Sequence, residues 1–529
     1  MMRVILALAL GLCLAVGAAL AAPAPPKFGD AANPSNTADH AKFAELNKTF
    51  ATPMDVTRAC LTCHTEAAAQ VQKTLHWTWL CPAAAPEAGL GKAGMVVNNF
   101  CISILSNEPR CTSCHAGYGW KDKSFDFSAS DRVDCLVCHE QTGSYKKFPA
   151  GAGLPVAEEK EFMGKVWTPP DLGAVARSVG LPTRKNCGVC HFFGGGGEGV
   201  KHGDLDASLM SPGKDLDVHM AVDGENFTCT RCHTTVAHSV AGRCYKTTSE
   251  ADQRDLLDND RIKRITCWSC HGDRPHPEGS KANDHLDTVA CQTCHIPYFA
   301  RQNSTKMSWD WSTAGKKKPD GSDIVEMKDG RPSYDTKKGS FVWEKNVMPE
   351  YMWYDGRLTY VTLKDKIDPS GRVFMNPPSG SYGEKNARIF PFKVHRGRQP
   401  YDAGNNTFVA PHLFPTKGKE DGSAYWKNYD WEKAVEAGMD YAGLPWSGKL
   451  GWVDTKYLFQ TTHMVAPKDK ALSCEACHVR ENGRLADLTG FYMPGRDRFG
   501  ALDLAGLILI ILCLAGVAVH GVLRIAGRK

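Results

Sequence analysis

CTSCH, at Cys111–His115, is one of eight pentapeptides in this 529-residue chain that share the pattern Cys-x-x-Cys-His. Two cysteines three positions apart on one helical turn can each form a thioether with a vinyl group of a haem, and the next histidine then faces the iron. The repeat therefore predicts eight covalently bound c-type haems. The predicted thioether cysteines are Cys60, Cys63, Cys111, Cys114, Cys135, Cys138, Cys187, Cys190, Cys229, Cys232, Cys267, Cys270, Cys291, Cys294, Cys474 and Cys477. The predicted proximal iron ligands are His64, His115, His139, His191, His233, His271, His295 and His478.

Structural zinc sites, redox dithiols and disulfides also use closely spaced cysteines. Zinc sites built from Cys-x-x-Cys units do not need a histidine at the following position each time, and a redox dithiol does not recur eight times in one chain. All three alternatives are therefore disfavoured. Bacteria attach haem to c-type cytochromes outside the cytoplasm, so the repeat also predicts export.

Both ends of the chain are strongly apolar. Residues 1–22 fit a signal peptide with a small-residue cleavage site at Ala19-Leu20-Ala21, and an N-terminal membrane anchor is the alternative. Residues Leu504–Leu523 are long enough to span a bilayer, and basic residues follow them directly. The positive-inside rule then predicts a C-terminal single-pass anchor, with the bulk of the chain on the periplasmic side of the bacterial inner membrane.

The motifs divide the rest of the chain. Seven lie in residues 23–295, a haem-free stretch covers 296–473, the eighth motif and a linker cover 474–500, and the anchor with its basic tail covers 501–529. The polar, Gly- and Pro-rich sequence between the motifs has little periodicity of its own, so haems must fill much of the interior. The predicted fold is mainly α with extensive coil, wrapped around a stacked haem array, plus one C-terminal transmembrane helix.

Haem changes the charge of the exported domain. The formal net charge of the chain is +5. Two propionates outweigh the single positive charge of a ferric porphyrin, so eight haems bring the total to roughly −3. We expect no nucleic-acid partner.

Ten further histidines lie in the exported domain, more than eight distal positions require. Two histidines saturate a haem iron and suit electron transfer, whereas chemistry needs an open or weakly ligated iron. The predicted distal ligands lie near motifs or in helix-like runs: His40, His76, His219, His238, His276, His285 and His463. This leaves His202, His395 and His412 for roles in a substrate pocket.

The fourth motif runs directly into a Gly-rich segment, CGVCHFFGGGGEGVKHGDLD at residues 187–206. Four consecutive glycines permit close backbone approach, and Lys201 and His202 lie near Glu198 and Asp204. The segment is our candidate for the one haem site that differs from the others. A flexible surface loop is the alternative.

Several longer stretches carry a resemblance to a known family. They are NNFCISILSNEPRCTSCHAGYGWKD at 98–122, VDCLVCHEQTGSYKK at 133–147, RKNCGVCHFFGGGGEGVKHGDLD at 184–206, VACQTCHIP at 289–297 and WDWSTAG at 309–315. Over residues 40–478 the chain resembles the octahaem c-type cytochromes of the tetrathionate reductase family. The resemblance implies a relative of hydroxylamine oxidoreductase and pentahaem nitrite reductase, with closely spaced haem pairs and one lysine-ligated catalytic haem.

The resemblance also implies which haem is catalytic. It would be the second, bound through Cys111, Cys114 and His115, and its distal ligand would be a lysine of the Gly-rich segment, which is Lys201 in this chain. A lysine that binds iron must be a neutral amine, so burial and a nearby cation must lower its pKa strongly. Such a ligand is displaceable by substrate.

Further catalytic candidates follow from the same resemblance. Glu198 holds an acidic position three residues before the lysine, and Asn98 and Cys101 match residues that lie beside the haem. His202 is a candidate proton donor. If the assignment of the loop is wrong, the alternative distal lysines are Lys146 and Lys147.

The chain departs from the family in two ways. It has no Cys-x-x-Cys-Lys motif, and its C-terminal span is additional to the soluble members of the family. The anchor suggests electron exchange with a membrane quinol-linked partner or a cytochrome b. His520, inside the span, is a weak candidate ligand for a haem b in such a partner.

The haem-free stretch and the remaining cysteines supply the last candidates. Anion-binding groups are predicted in PFKVHRGRQPYD, at Lys393, His395, Arg396 and Arg398, with a solvated basic face as the alternative. Three exported cysteines lie outside the motifs, so at most one disulfide forms and one thiol remains: Cys81, Cys101 and Cys244. The family match places Cys101 by the catalytic haem, so we expect a modified or reactive sulfur there.

Two functions fit this sequence. The first is a periplasmic, membrane-anchored multihaem oxidoreductase acting on a small sulfur or nitrogen compound such as tetrathionate, nitrite or hydroxylamine. The second is a non-catalytic eight-haem conduit for electrons. The haem motifs alone do not separate them.

Overall fold

The computed structural model describes residues 38–81, 90–242, 265–416 and 418–527. The predicted signal peptide, Cys244 and the last two residues lie outside this range. The described α-helices are α1 Pro53–Leu61, α2 Ala67–Val71, α3 Leu75–Thr78, α4 Glu108–Cys111, α5 Leu136–His139, α6 Leu172–Arg177, α7 Arg184–His191, α8 Cys229–Cys232, α9 Cys267–His271, α10 Cys291–His295, α11 Tyr425–Asn428, α12 Trp431–Ala442 and α13 Gly500–Ala526. Short 3₁₀ helices cover His40–Lys42, Ala44–Leu46, Thr112–Cys114, Ser130–Arg132, Ala207–Met210, Lys281–His285, Trp311–Thr313, Gly418–Glu420, Lys468–Lys470 and Cys474–Ala476.

Most haem motifs lie on helices of one or two turns, and polar side chains cap the start of two of these helices. Thr183 and Asn186 make a capping box at the start of α7, and Thr266 and Ser269 make one at the start of α9. Helices of one or two turns are unstable alone in water. Packing against neighbouring segments and bound groups must therefore hold this part of the chain in place.

Strands dominate the haem-free stretch. The described strands are β1 Lys160–Phe162, β2 Lys165–Trp167, β3 Thr235–Val236, β4 Ser239–Val240, β5 Thr305–Asp310, β6 Val325–Lys328, β7 Arg331–Asp335, β8 Gly339–Glu344, β9 Glu350–Tyr354, β10 Val373–Phe374, β11 Arg388–Asp402, β12 Thr407–Phe408 and β13 Leu450–Gln460. Nine of them form one sheet, in the order β10-β13-β11-β5-β8-β7-β6, with β9 and β12 also paired to β11. β11 and β13 run antiparallel from Phe392 opposite Gln460 to Asp402 opposite Leu450.

The prediction of a mainly α fold is therefore not confirmed. β11 lies at the centre of the sheet, and its first eight residues are all buried, so the strand lacks the alternation of apolar and polar residues that marks a half-exposed strand. A sheet with its own core fills the haem-free stretch, for which the sequence predicts only a possible wall of the substrate pocket.

The largest core cluster joins this sheet to the haem-bearing part of the chain. Strand residues such as Trp309, Phe341 and Phe459 pack with Phe100 and Val200, which lie before the second motif and in the Gly-rich segment. The sheet is thus a rigid support for the segments around the second motif.

The apolar C-terminal segment forms one continuous helix, α13. It has 27 residues. Its most apolar stretch of 18 residues has a mean hydropathy of 2.7, and none of that stretch is buried. A helix of this length and composition can cross a membrane.

Candidate redox centres and active site

Seven of the eight motif histidines face a second histidine. Two imidazoles that bind one iron from opposite sides place their ring centroids about 6 Å apart, because each metal–nitrogen bond is about 2 Å long. The observed centroid distances are 6.0–6.4 Å. The pairs are His40 with His64, His76 with His191, His139 with His238, His219 with His271, His233 with His463, His276 with His295, and His285 with His478.

The chain also orients many of these rings through the nitrogen that faces away from the partner. Nδ1 of His139 lies 2.9 Å from the carbonyl oxygen of Gly180, and Nδ1 of His478 lies 2.7 Å from that of Pro494. Nδ1 of His238 lies 2.8 Å from Oε1 of Gln70. A partner at Nδ1 fixes the tautomer and leaves Nε2 for a metal. The residues therefore fit bis-histidine haem iron, and the predicted distal histidines are the seven found in these pairs.

The motifs also adjoin one another. Cysteines of different motifs lie close together in four pairs: Cys60 with Cys135, Cys114 with Cys190, Cys187 with Cys229, and Cys267 with Cys291. Cys294 of the seventh motif lies near Cys474 and Cys477 of the eighth. These contacts join the first motif to the third, the second and the fifth to the fourth, and the sixth and the eighth to the seventh.

His115, in the second motif, has different surroundings. Its ring is fully buried and lies 4.9–6.2 Å, centroid to centroid, from five aromatic rings: Trp77, Trp79, Trp120, Phe125 and Phe127. Within the described parts of the chain, it is the one motif histidine without a histidine facing it at about 6 Å. Nε2 of His115 lies 2.6 Å from the carbonyl oxygen of Trp77, so no histidine lies at the distal position of the second motif in the described chain.

Lys201 lies in the Gly-rich segment, which folds back on itself beside the second motif. Gly195 has a φ of +80°, and a Cβ there would lie 3.1 Å from the ring of Phe100 and 3.4 Å from Cβ of Lys201, so a larger residue does not fit. Burial lowers the pKa of Lys201 to about 7, helped by the charge of Lys92. The lysine is thus desolvated near the second motif and readily neutral.

Lys393 holds this segment from the sheet side. The side chain is 1% exposed, and Nζ donates to the carbonyl oxygens of Val200 (3.1 Å) and Lys201 (3.0 Å) and to the hydroxyl of Thr305 (2.6 Å). Burial lowers its pKa to about 7. The sequence suggested that Lys393 binds anions, whereas the structure shows all three of its donors used to fix the backbone that carries Lys201.

Replacing Lys393 by methionine is expected to loosen the Gly-rich segment. Buried carbonyl groups that lose their donor cost about 1–3 kcal/mol, so amide hydrogens of residues 194–206 should exchange about tenfold faster or more. Hydrogen exchange with mass spectrometry measures this effect. Arg398→Met, which changes an exposed cation of the same strand, is the control, and equal exchange in both variants would contradict the role assigned to Lys393.

Cys101 lies between the Gly-rich segment and the second motif. Its thiol donates to the carbonyl oxygen of Gly195 at 3.2 Å. Burial raises its pKa, and the charges of Lys338, Arg110 and Lys92 oppose that shift. Asn98 holds the turn before it, because Oδ1 accepts from the backbone N–H of Cys101 at 2.8 Å. Cys101 and Cys81 are both unpaired thiols.

Glu198 and His202 lie before and after Lys201 in the sequence. Glu198 pairs with Arg331 at 3.4 Å and accepts from Asn303 at 3.2 Å. The ring of His202 lies 5.4 Å from that of Phe459. Burial holds the pKa of His202 well below its usual range, so it is a neutral imidazole.

The alternative lysines have other roles. Lys146 is exposed. Nζ of Lys147 lies 2.9 Å from Oδ2 of Asp134, with both side chains buried, and also donates to the carbonyl oxygens of His115 and Gly117. Lys147 therefore braces the backbone of the second motif from inside a buried ion pair.

Replacing Lys147 by methionine leaves the carboxylate of Asp134 buried without its cation. Such a loss costs about 3 kcal/mol or more, so the midpoint of urea unfolding of the haem-loaded protein should fall clearly. Lys146→Met is the matched control, since that neighbour is exposed. Equal midpoints for the two variants would refute the bracing role.

Strand geometry separates the other basic candidates. Successive side chains of β11 point to opposite faces. Those of Arg396 and Arg398 are 43% and 44% exposed and pair with Glu350 and Asp454. His395 is buried, with Nδ1 2.8 Å from Asn99 and Nε2 unpartnered. Both nitrogens of His412 are occupied, by Ser106 and Asp421.

Lys306 carries no functional signal in the sequence. Its side chain is 4% exposed, and Nζ lies 3.5 Å from the ring centroid of Phe341 and 3.8 Å from that of Trp309. Burial holds the pKa of Lys306 well below its usual range, helped by the charge of Lys338. The aromatic residues of WDWSTAG and the following strands were visible in the sequence, but only the sheet brings them around a lysine next to the Gly-rich segment.

Eight attachment motifs and seven opposed histidine pairs define a multihaem c-type cytochrome. A family model described as bacterial cytochrome c matches residues 306–481. The crystal structure of an octahaem cytochrome c from Shewanella oneidensis is similar with a TM-score of 0.75 and 41% sequence identity, over 88% of this chain and 99% of that one. The chain belongs to the octahaem cytochrome c family and carries covalently bound c-type haems.

A curated relative covers a shorter part of the chain. A protein of uncharacterised function from Archaeoglobus fulgidus is 28% identical over 136 residues, which are 24% of this chain and 45% of the relative. The match thus spans less than half of that relative's length.

Proposed function

We propose that this protein is a membrane-anchored, periplasmic oxidoreductase that exchanges electrons between the membrane and a small sulfur or nitrogen compound, such as tetrathionate, nitrite or hydroxylamine. The observation that carries the proposal is the asymmetry of the iron sites. Seven motif histidines face a second histidine, whereas His115 faces none within the described chain. One site that differs from seven saturated ones is the arrangement that an enzyme needs and that a conduit does not.

When bound, c-type haems supply one-electron redox chemistry and, at a weakly ligated iron, a binding position for substrate. In this chain Cys111, Cys114 and His115 would hold the reactive haem. Lys201 would occupy the distal position as a neutral amine and leave it to substrate. The aromatic rings around His115 exclude water from that side of the site.

The surrounding residues favour an anionic or strongly polar substrate. The basic side chains Lys338, Arg110 and Lys92 act on Cys101. Glu198 and Arg331 form an ion pair on the same segment. His202, a buried neutral imidazole next to Lys201, would donate a hydrogen bond to substrate but holds no spare proton at neutral pH.

A conduit without catalysis is the second candidate. The observation that favours it is the close approach of cysteines from different motifs, which suits passage of electrons between haems. In that case the site at His115 would not respond to any of the small compounds.

Steady-state assays separate the two candidates. Reduced methyl viologen supplies electrons to the purified, haem-loaded protein, and its oxidation is followed on addition of tetrathionate, nitrite or hydroxylamine. Hydroxylamine is also tested as an electron donor to an oxidised dye. Turnover with one compound supports the oxidoreductase, and none with all three in either direction would contradict it.

A further inference from the structure

The eighth motif and the membrane helix are joined by a short segment of chain. Nδ1 of His478 lies 2.7 Å from the carbonyl oxygen of Pro494. Gly495 approaches so closely that a Cβ there would lie 2.7 Å from the carbonyl oxygen of His478. α13 begins at Gly500. The chain from Pro494 to Gly500 can span about 20 Å at most, so the eighth motif is held within that distance of the start of the helix.

Arg496 makes this segment a folded unit. Its guanidinium donates to the carbonyl oxygens of Leu485 and Phe491, both at 2.9 Å, and pairs with Asp497 at 2.7 Å. Asp497 in turn accepts from the backbone N–H of Met493 at 2.7 Å. A guanidinium that serves several acceptors at once fixes their relative positions. The connection is therefore compact and not a loose linker.

The segment also packs on the motif. Leu485 and Met493 are buried with Ile389, and Cys477 of the eighth motif packs against the same cluster. Tyr492 and Phe499 are 58% and 55% exposed, close to the start of the apolar helix. Aromatic side chains in such positions are typical of the membrane–water interface.

The eighth motif adjoins the seventh. Its cysteines lie near Cys294 of the seventh motif. The backbone N–H groups of Leu472 and Ala466 donate to the carbonyl oxygens of Cys294 and His295, which ties the segment before the eighth motif to the seventh.

We infer that the eighth site, built by Cys474, Cys477, His478 and His285, is the port at which electrons pass between this protein and a quinol-oxidising protein embedded in the same membrane. The partner oxidises one quinol to quinone, releases two protons to water and delivers two electrons, one at a time, at this port. The inference rests on the proposed function for the membrane anchor and for the redox role of the chain. It adds which motif faces the membrane.

The first test lengthens the connection. A ten-residue Gly-Ser insertion between Arg498 and Phe499 adds a flexible tether of about 17 Å root-mean-square length without touching the motif. The control carries the same insertion in the exposed turn at Asp320-Gly321. Full-length proteins in bacterial membrane vesicles are reduced by added quinol, and haem reduction is followed by absorbance.

We expect quinol-driven reduction to slow at least tenfold in the tethered variant and to stay unchanged in the control. An unchanged rate in the tethered variant, or no quinol-driven reduction of the unaltered protein, would overturn the inference. Turnover driven by reduced methyl viologen bypasses the port and reports on the proposed function separately, so the two claims fail independently.

Two further variants keep the test specific to the eighth site. Arg496→Ala should speed hydrogen exchange in residues 485–497 of the detergent-solubilised protein about tenfold or more, which requires no turnover. His285→Met should raise the midpoint potential of one haem and slow quinol-driven reduction of the others. Two results would contradict the assignment of the eighth site as the port. One is hydrogen exchange in Arg496→Ala equal to that of the unaltered protein, and the other is a normal quinol-driven rate in His285→Met.

Discussion

Replacing Lys201 by methionine is expected to lower turnover about 100-fold, because a thioether in place of an amine raises the potential of the haem iron, and a rise of about 120 mV is a hundredfold change for one electron. The same change should alter the spectrum of one iron and leave the other seven as they were. Low-temperature electron paramagnetic resonance and viologen-linked assays measure the two effects. Lys165→Met, at an exposed lysine, is the control. Unchanged turnover together with an unchanged spectrum would refute the role of Lys201.

Removing the haems is expected to unfold the part of the chain that carries the first seven motifs. Apart from α13, only α1, α7 and α12 exceed six residues among the described helices, and helices this short do not persist alone. The sheet, by contrast, has a large core of its own. The two parts should therefore respond differently when the chain is produced without haem attachment.

Limited proteolysis of the haem-free chain measures this difference. We expect rapid cleavage before residue 300 and a protected fragment that contains β5 to β13, identified by mass spectrometry. The haem-loaded protein is the control and should resist cleavage throughout. Equal resistance in both forms would mean that side chains alone fill the interior and would contradict the account of the fold.

The sequence predicted the attachment chemistry well because that chemistry is local. Two cysteines and a histidine on one helical turn make a complete haem attachment site without help from the rest of the fold. The choice of distal histidines also rested on local context, and the histidines that face the motifs are the predicted ones. Which histidine faces which motif was not predictable, since His463 lies opposite His233 and His76 opposite His191, across segments that only the fold brings together.

The sheet and the support of the active-site segment could not be predicted for a different reason. β11 is buried along most of its length, so its sequence lacks the alternation that identifies a strand. Within PFKVHRGR, the basic residues read as one cationic patch. The strand places Lys393 and His395 in the interior and leaves Arg396 and Arg398 partly exposed, which gives neighbouring basic residues opposite roles.

The central claim is that the iron held by His115 differs from the other seven and binds substrate. Electron paramagnetic resonance and magnetic circular dichroism of the oxidised, purified protein test it most directly, with and without nitrite, hydroxylamine or tetrathionate. We predict seven bis-histidine signals that do not respond and one distinct signal, of histidine–lysine or high-spin type, that shifts when a substrate is added. Eight unresponsive bis-histidine signals would contradict the account and make the protein a conduit.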